Sequence, residues 1–489
     1  MMYRPESGHR RNPGGWLWAV LLVAAGCSEA PQPSFVIRES TQDLIPEART
    51  AVEKVLQQHF GSPTSLVAWE RLPLQFGGAA GTVQAVDGAK LTIKWDEGSE
   101  PTPAQTAAGV AVAWPGSGAR SGKTGAADTV VAYDSAKQLL TLSAADPPPA
   151  VGDRLVLNFG HTLQVGRVVY AKNCAHCHGA SGAGEGPTAK YLNPRPRDYR
   201  QGIMKFTSTN TPARASRADL KRIIHEGIPG TYMPSFLLMS DRDADAVIEY
   251  VLFLSIRGEL EKRLGDVLKA DYSLTDVVDS HQEKLADYET EKKAGETPDP
   301  PKSLEQMLAK AAEDFAEFAA EDWKTEIEDG ADFISDGWKS SNEADALVTP
   351  QLARVADDAA SRERGRLLYL SDSTKCYTCH GPTGRGDGQA TLDYWARTGA
   401  DGKYEVPGLH DVWGQPQAPR DLTRGVYRGG RRPLDVYRRI HAGIKGTQMP
   451  GFGTSLKDEQ IWDIVNYVMA LPYETNAAPP AGQQTAATP

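Results

Sequence analysis

Cysteine is scarce in this chain, and none is left over for a disulfide framework. Only 5 cysteines occur among the 489 residues. Four of them fall in two C-x-x-C-H strings, and the fifth, Cys27, ends an apolar run near the N-terminus. An extracytoplasmic location must therefore be inferred from the N-terminal residues and not from structural disulfides.

The sequence also lacks a long hydrophobic run and an excess of basic residues. The apolar stretch from Trp16 to Gly26 is too short to span a bilayer, which needs ~20 apolar residues, and no segment after Cys27 has transmembrane character. The formal net charge of -10 argues against nucleic acid or an anionic membrane surface as a partner. Hydrophobic residues still make up 40% of the chain, so globular cores are expected.

The N-terminus is typical of a lipoprotein leader. The segment Ala24-Ala25-Gly26-Cys27 resembles a bacterial lipobox, and three basic residues precede the apolar stretch, Arg4, Arg10 and Arg11. We expect residues 1–27 to be a lipoprotein signal peptide, with Cys27 lipidated and the protein anchored by this lipid to a membrane. An ordinary signal peptide or a short uncleaved anchor would also place the rest of the chain outside the cytoplasm.

Changes in composition and periodicity divide the chain into segments. A helix is expected from Ala48 to Phe60, and a β-hairpin around the Asp87-Gly88 turn. The prolines at 298–301 divide a charged insert into two helical arms. The predicted segments are a tether with a short helix (28–75), a small β domain (76–160), a first helical domain (161–256), the helical acidic insert (257–352), a second helical domain (353–473) and a disordered tail (474–489).

The two helical domains are an internal repeat. Each contains a C-x-x-C-H string, then Pro-Arg-Asp, then Ile-His-x-Gly-Ile, and finally Gly-Thr-x-Met-Pro. The same elements in the same order indicate duplication of one ancestral domain. The second copy has an extra stretch before Pro419 that includes Trp395, Tyr404 and Trp413.

The two strings predict covalent attachment of c-type haem. One helical turn can present both cysteine sulfurs to the haem vinyl groups while the next histidine ligates the iron. A redox-active dithiol does not predict that histidine, and a zinc site made from all four cysteines leaves the repeated methionines unexplained. The expected attachment residues are Cys174, Cys177, Cys376 and Cys379, and the expected proximal ligands are His178 and His380.

A methionine in each repeat is expected to be the second axial ligand. Met233 and Met449 occupy the same place in the two Gly-Thr-x-Met-Pro segments. A thioether opposite an imidazole raises the reduction potential of haem iron. Met239 is a nearby competitor without a counterpart in the second repeat. His225 and His441 are alternative ligands, although their position on a helix before the loop favours a packing role.

Both repeats resemble class I cytochrome c domains, and the chain resembles a dihaem c-type cytochrome of a bacterial respiratory complex. The resemblance implies a mainly α fold, with two cytochrome c domains in tandem, preceded by the β domain and separated by the acidic insert. It implies that the terminal helices of each domain cross at a glycine and an aromatic residue, Gly166 with Tyr250 and Gly365 with Tyr467. It also implies that a proline carbonyl orients each proximal histidine, from Pro194 or Pro196 and from Pro419.

These observations predict electron transfer through two His/Met-ligated haems c, with no substrate chemistry in the chain itself. Six-coordinate irons leave no vacant site, so we expect an electron carrier and not an enzyme. The expected setting is a membrane-tethered subunit of a quinol-oxidising or terminal oxidase complex, with a basic soluble cytochrome as a further redox partner. The alternative is a dihaem oxidoreductase enzyme, such as a peroxidase or a thiosulfate dehydrogenase.

Overall fold

The computed structural model describes residues 33–115, 128–143, 148–398 and 402–474. The expected signal peptide with Cys27 lies outside these residues, as does the tail from residue 475 onward. Within the described ranges, no helix is both long and apolar enough to cross a bilayer.

Two helices and a small strand pair open the described chain. The second helix begins at Pro46, a residue that suits the first turn of a helix because it has no N–H to satisfy. It buries Ala48, Val52 and Leu56 on one face, which confirms the helix expected from the sequence. These elements are α1 (Glu39–Gln42), α2 (Pro46–Phe60), β1 (Gly61–Ser62) and β2 (Ser65–Leu66).

The expected β region contains a closed six-stranded barrel. Its strands pair in the order β3-β4-β7-β6-β5-β8, and the hairpin around Asp87-Gly88 forms its first antiparallel pair. Alternating side chains such as Val83, Leu91 and Ile93 fill the interior. The strands are β3 (Ala79–Asp87), β4 (Lys90–Trp95), β5 (Ala111–Ala113), β6 (Asp128–Asp134), β7 (Leu139–Leu142) and β8 (Arg154–Leu157).

The first repeat is built on a crossing of two helices. A β-carbon on Gly166 would overlap the carbonyl oxygen of Ala246 and lie 2.9 Å from Cβ of Tyr250, so only glycine permits this approach. The expected crossing of Gly166 with Tyr250 is confirmed. The helices of this repeat are α3 (His161–Asn173), α4 (Ala175–His178), α5 (Arg217–Glu226) and α6 (Asp241–Tyr272).

The charged insert is continuous with the first repeat. The boundary expected after residue 256 falls inside α6, because Leu260, Leu264 and Leu268 extend its buried face. The insert then continues through three more helices, so the expected two arms are an incomplete description. The proline segment does separate two of them, and Ser303 begins the later one with the capping box that the sequence suggests. These helices are α7 (Leu274–Lys293), α8 (Leu304–Glu321) and α9 (Trp323–Ser340).

The second repeat reproduces the helix crossing of the first. A β-carbon on Gly365 would overlap the carbonyl oxygen of Asp463 and lie 2.9 Å from Cβ of Tyr467. Both repeats are therefore helical, as expected, whereas the barrel is a separate all-β element. The helices here are α10 (Ala359–Tyr369), α11 (Cys376–His380), α12 (Pro433–Ala442) and α13 (Asp458–Glu474), and short 3-10 turns occupy 189–191, 344–346, 389–391 and 422–424.

Candidate cofactor sites

Each repeat encloses a cavity that gathers its chemically distinctive residues. In the first repeat, the cavity has a volume of about 240 Å3 and is lined by Cys174, Cys177, His178 and Met233. Cys177 and His178 lie on α4, Cys174 immediately precedes this helix, and the methionine comes from the loop between α5 and α6. The fold therefore brings together residues that lie far apart in the sequence.

The second repeat encloses an equivalent cavity. Its volume is about 210 Å3, and Cys376, Cys379, His380 and Met449 line it. Because the two cysteine pairs line separate cavities, they do not form a single four-cysteine zinc site.

A hydrogen bond to a backbone carbonyl fixes the orientation of each proximal histidine. Nδ1 of His178 lies 3.1 Å from the carbonyl oxygen of Arg197, and Nδ1 of His380 lies 3.2 Å from that of Arg420. A carbonyl can only accept, so Nδ1 of each ring carries the proton and Nε2 keeps its lone pair. Nε2 is therefore the atom of each ring that can bind a metal ion.

The histidine-orienting carbonyls differ from the sequence expectation. Pro194, Pro196 and Pro419 were expected to supply them. The carbonyls belong instead to Arg197 and Arg420, the residues that follow Pro196 and Pro419. Neighbouring carbonyls of an irregular loop face in different directions. The pattern of side chains in the sequence does not indicate which of them faces the histidine ring. Pro194 follows a cis peptide bond and lines the first cavity together with Pro196.

Burial keeps both histidines neutral. Desolvation lowers the pKa of His178 to about 4, although the hydrogen bond to the Arg197 carbonyl opposes this shift. Burial also lowers the pKa of His380. A neutral imidazole is the form that ligates iron, so these environments favour ligation at ordinary pH.

The cysteines are placed for attachment and not for thiol redox chemistry. The four cysteines of the two strings are free thiols of intermediate exposure. Burial raises the pKa of Cys174 to about 12 and also raises the pKa of Cys376. Catalytic dithiols require a thiolate with a lowered pKa, which these environments disfavour.

A tyrosine from the preceding helix anchors each string. The hydroxyl of Tyr170 donates to the carbonyl oxygen of Gly179 at 2.8 Å, and that of Tyr369 donates to Gly381 at 2.7 Å. Each glycine follows the histidine of its string and has a positive φ, which allows the chain to turn away after the string. The helix and the string are thus held as one unit.

The methionine loops have the same internal hydrogen bonds in both repeats. The backbone N–H of Met233 donates to Oγ1 of Thr231 at 3.1 Å, and that of Met449 donates to Oγ1 of Thr447 at 3.2 Å. Each threonine hydroxyl also donates to a carbonyl at the start of its loop. The Thr-x-Met spacing therefore fixes the backbone at the residue whose thioether lines the cavity.

The alternative ligands are distributed differently. His225 and His441 do not line either cavity, and His441 stacks on Tyr437 instead. Met239 lines the first cavity together with Met233 and the buried Met204.

The wall between the cavities contains residues that the sequence reasoning missed. Lys205, Phe206, Gln417 and Arg428 line both cavities. Lys205 and Arg428 each stand eight residues after the arginine whose carbonyl faces the proximal histidine. Alignment of the two repeats through Pro-Arg-Asp would have singled out this pair of cations.

The extra stretch of the second repeat packs against the first repeat. The guanidinium of Arg197 lies 3.7 Å from the ring centre of Trp413, and Asp411 accepts from Nζ of Lys205 at 2.9 Å. Tyr404 stacks on His410 at 3.8 Å within the same stretch. The inserted residues therefore build part of the boundary between the two repeats.

These cavities fit covalently attached haem. Each combines two thiols, an imidazole with a free Nε2 and a thioether on a mostly apolar lining. A further sign is Arg428, whose buried Nε has no hydrogen-bond partner among the described atoms. A half-buried guanidinium whose buried donor is unsatisfied suits the carboxylates that haem carries.

Two regions of the chain match the cytochrome c family. The matched residues are 163–255 and 363–472, one region in each repeat. Each region contains one C-x-x-C-H string, one Gly-Thr-x-Met-Pro segment and the crossing helices described above.

One curated relative is a thiosulfate dehydrogenase from Allochromatium vinosum. It is 35% identical over 109 residues, which are 22% of this chain and 30% of that enzyme. The chain thus matches about a third of the length of that relative. A solved structure, the Kuenenia stuttgartiensis reducing HAO-like protein complex, aligns with a TM-score of 0.39 and 23% identity over 63% of this chain and 96% of the other.

The relative corrects one expectation from the sequence. The chain was expected to be an electron carrier and not an enzyme, and this is wrong, because the matched relative is a dehydrogenase. Six-coordination inferred from paired methionines does not exclude catalysis, since an axial thioether can leave the iron. The two matched regions and the site geometry support two cytochrome c regions in this chain, and proteins of that family bind haem covalently and transfer electrons.

Proposed function

We propose that the protein is an oxidoreductase that holds two covalent haems and moves electrons between two adjacent sites in one chain. The observation that carries this proposal is the shared wall, in which Lys205, Phe206, Gln417 and Arg428 border both cavities. Two cofactor sites that share lining residues are suited to exchange of electrons.

The residues of each site have separate roles. The cysteines of each string would form the thioether bonds, and Nε2 of His178 or His380 would ligate the iron from one side. The sulfur of Met233 or Met449, which lines the same cavity, would be a further ligand of that iron. When bound, each haem would supply an iron that alternates between Fe(III) and Fe(II). The Arg197 and Arg420 carbonyls keep each imidazole in the ligating tautomer.

The leader and the charge support a proposed setting for the protein. We place the chain outside the cytoplasm, tethered to a membrane through lipidated Cys27 and passing electrons to a redox protein of a membrane respiratory complex. The net charge of -10 favours a basic partner, such as a soluble cytochrome. Thiosulfate is the first substrate to test, since the matched relative is named for its oxidation.

The test measures turnover from substrate to acceptor in variants that retain one site. The holoprotein should reduce an artificial electron acceptor when thiosulfate is added. Cys174→Ser/Cys177→Ser and Cys376→Ser/Cys379→Ser should each lower that rate at least about tenfold, because an interrupted relay removes the path to the acceptor. His176→Ala is the matched control, since it changes the first string but keeps both cysteines and His178.

Two results would overturn parts of the proposal. Wild-type turnover in either single-site variant would refute a relay that needs both sites. A two-haem wild-type protein that thiosulfate does not reduce would refute thiosulfate as the substrate.

A further inference from the structure

The contact between the two repeats has approximate two-fold symmetry. A β-carbon on Gly230 would lie 3.3 Å from Cγ1 of Val426, and one on Gly446 would lie 3.1 Å from Cγ2 of Ile203. Gly230 and Gly446 occupy the same place in the two methionine loops, and Ile203 and Val426 each stand six residues after the histidine-orienting arginine. These two contacts therefore pair equivalent segments of the two repeats, as in an isologous interface, whereas Asp411 and Trp413 of the extra stretch have no counterpart in the first repeat.

Lys205 and Arg428 are equivalent residues in this symmetric contact. They occupy the same place in the two repeats, and each one lines both cavities. A charge on either residue therefore acts on both sites, whereas most of the residues that line a cavity border only one.

Positive charge exceeds negative charge at this wall. Asp411 accepts from Lys205 at 2.9 Å and lies 3.8 Å from the guanidinium of Arg197, so two cations share one carboxylate. The side chains of Lys205 and Asp411 are only 7% and 2% exposed. Arg428 forms no ion pair among the described residues, and its Nε has no hydrogen-bond partner there. A buried surplus of this kind is costly unless an anion neutralises it.

The pKa values of Lys205 and Arg428 agree with an excess of positive charge at the wall. Burial lowers the pKa of Lys205 to about 8, and the neighbouring Arg197 lowers it further while Asp411 opposes the shift. Burial also lowers the pKa of Arg428, and the neighbouring cation Arg420 lowers it further. For both groups, burial and a neighbouring cation therefore lower the pKa.

We propose that Lys205 is a positioning residue shared by the two sites, whose charge holds haem carboxylates at the common wall and raises both reduction potentials. This inference rests on the proposed two-haem function. A buried positive charge favours Fe(II) over Fe(III), because the reduced centre carries one less positive charge. Since Lys205 borders both cavities, its removal acts on both centres together.

The experiment is a spectroelectrochemical titration of the full-length holoprotein. Lys205→Met should move both midpoint potentials in the negative direction, while Lys205→Arg should leave both near the wild-type values. Lys445→Met is the matched control, because Lys445 is a second lysine between the repeats whose pKa burial lowers to about 8 but which lines neither cavity. It should leave both potentials unchanged.

A second pair of variants covers the case in which Lys205→Met does not fold. Arg428→Met should lower both potentials in the same way, and Arg428→Lys should preserve them. Movement of only one midpoint, no movement in either methionine variant, or an equal shift in Lys445→Met would overturn the inference. Covalent haem is counted before each titration. Fewer than two haems in the wild type would reject the proposed two-haem function, whereas two haems with unshifted potentials would reject only the role of Lys205.

Discussion

Gly365 packs directly against Tyr467 where the first and last helices of the second repeat cross. The first repeat has the same pairing between Gly166 and Tyr250. The crossing brings α10, which leads into the string, against α13, whose Ile464 and Val468 line the cavity. The close approach of these two helices therefore shapes the site as well as the core.

Gly365→Ala should lower the free energy of unfolding of the holoprotein by about 1–3 kcal/mol, the usual cost of overpacking a close contact. Chemical denaturation measures the change. The control is Gly265→Ala in α6, where an added β-carbon would meet only Oγ1 of Thr41, at 3.4 Å. That variant should be neutral or stabilising by up to ~1 kcal/mol, because alanine is the better helix former. Equal destabilisation by both would contradict the crossing.

The sequence specifies the chemistry of the sites more fully than their surroundings. The strings and methionine loops are local patterns whose residue types have few other uses, and the fold brings each set to one cavity. The helix crossing was implied by the resemblance to class I cytochrome c domains, and the close approach at Gly166 and Gly365 shows why each crossing requires a glycine.

Other features could not be predicted, for identifiable physical reasons. Which carbonyl of the Pro-Arg-Asp segment faces the histidine depends on the phase of an irregular loop. The wall that contains Lys205 and Arg428 depends on packing between distant segments, which local periodicity does not encode. The continuation of α6 beyond residue 256 was concealed because Leu260, Leu264 and Leu268 lie among charged residues that resemble a separate insert.

Met233 and Met449 should each control access of small molecules to one iron. Reduced wild-type protein should bind CO poorly, because the thioether must leave first. Met449→Ala should create strong CO binding at one site, and Met233→Ala should do so at the other, measured by the visible spectrum. The control is Met239→Leu, which places in the first repeat the residue that the second has, Leu456, and should change nothing. Strong CO binding by the Met239→Leu variant alone would contradict the assignment of Met233.

Lys445 should make a pH-dependent contribution to the free energy of unfolding. Its Nζ donates to Oγ1 of Thr209 and to the carbonyl of Ala213, each at 2.6 Å. Burial lowers its pKa from 10.5 to about 8. Between these two values the unfolded chain binds a proton that the folded chain does not, so stability rises with pH across this window. Below pH 8 both states are protonated and the slope vanishes.

The comparison with Lys445→Met isolates this effect. The free energy of unfolding of the wild type minus that of the variant should increase by on the order of 1–2 kcal/mol between pH 8 and pH 10. A difference that stays constant or shrinks across that range would show that burial does not lower the pKa of Lys445.

Cys27 should determine how the protein associates with membranes. The wild type should partition into the detergent phase, because two or more acyl chains anchor a protein stably. Cys27→Ser should release the protein or block its processing, while haem content should not change because the four cysteines of the two strings are kept. Wild-type protein that stays in the aqueous phase and begins at another residue would refute lipidation.

The most direct test of the whole account is the mass of the denatured holoprotein. The wild type should be heavier than its processed chain by two haem units that acid extraction does not remove. Cys174→Ser/Cys177→Ser and Cys376→Ser/Cys379→Ser should each carry one covalent haem. A wild-type mass that shows one haem or none, or haem that is extracted freely, would contradict the central claim that each repeat holds a covalent haem.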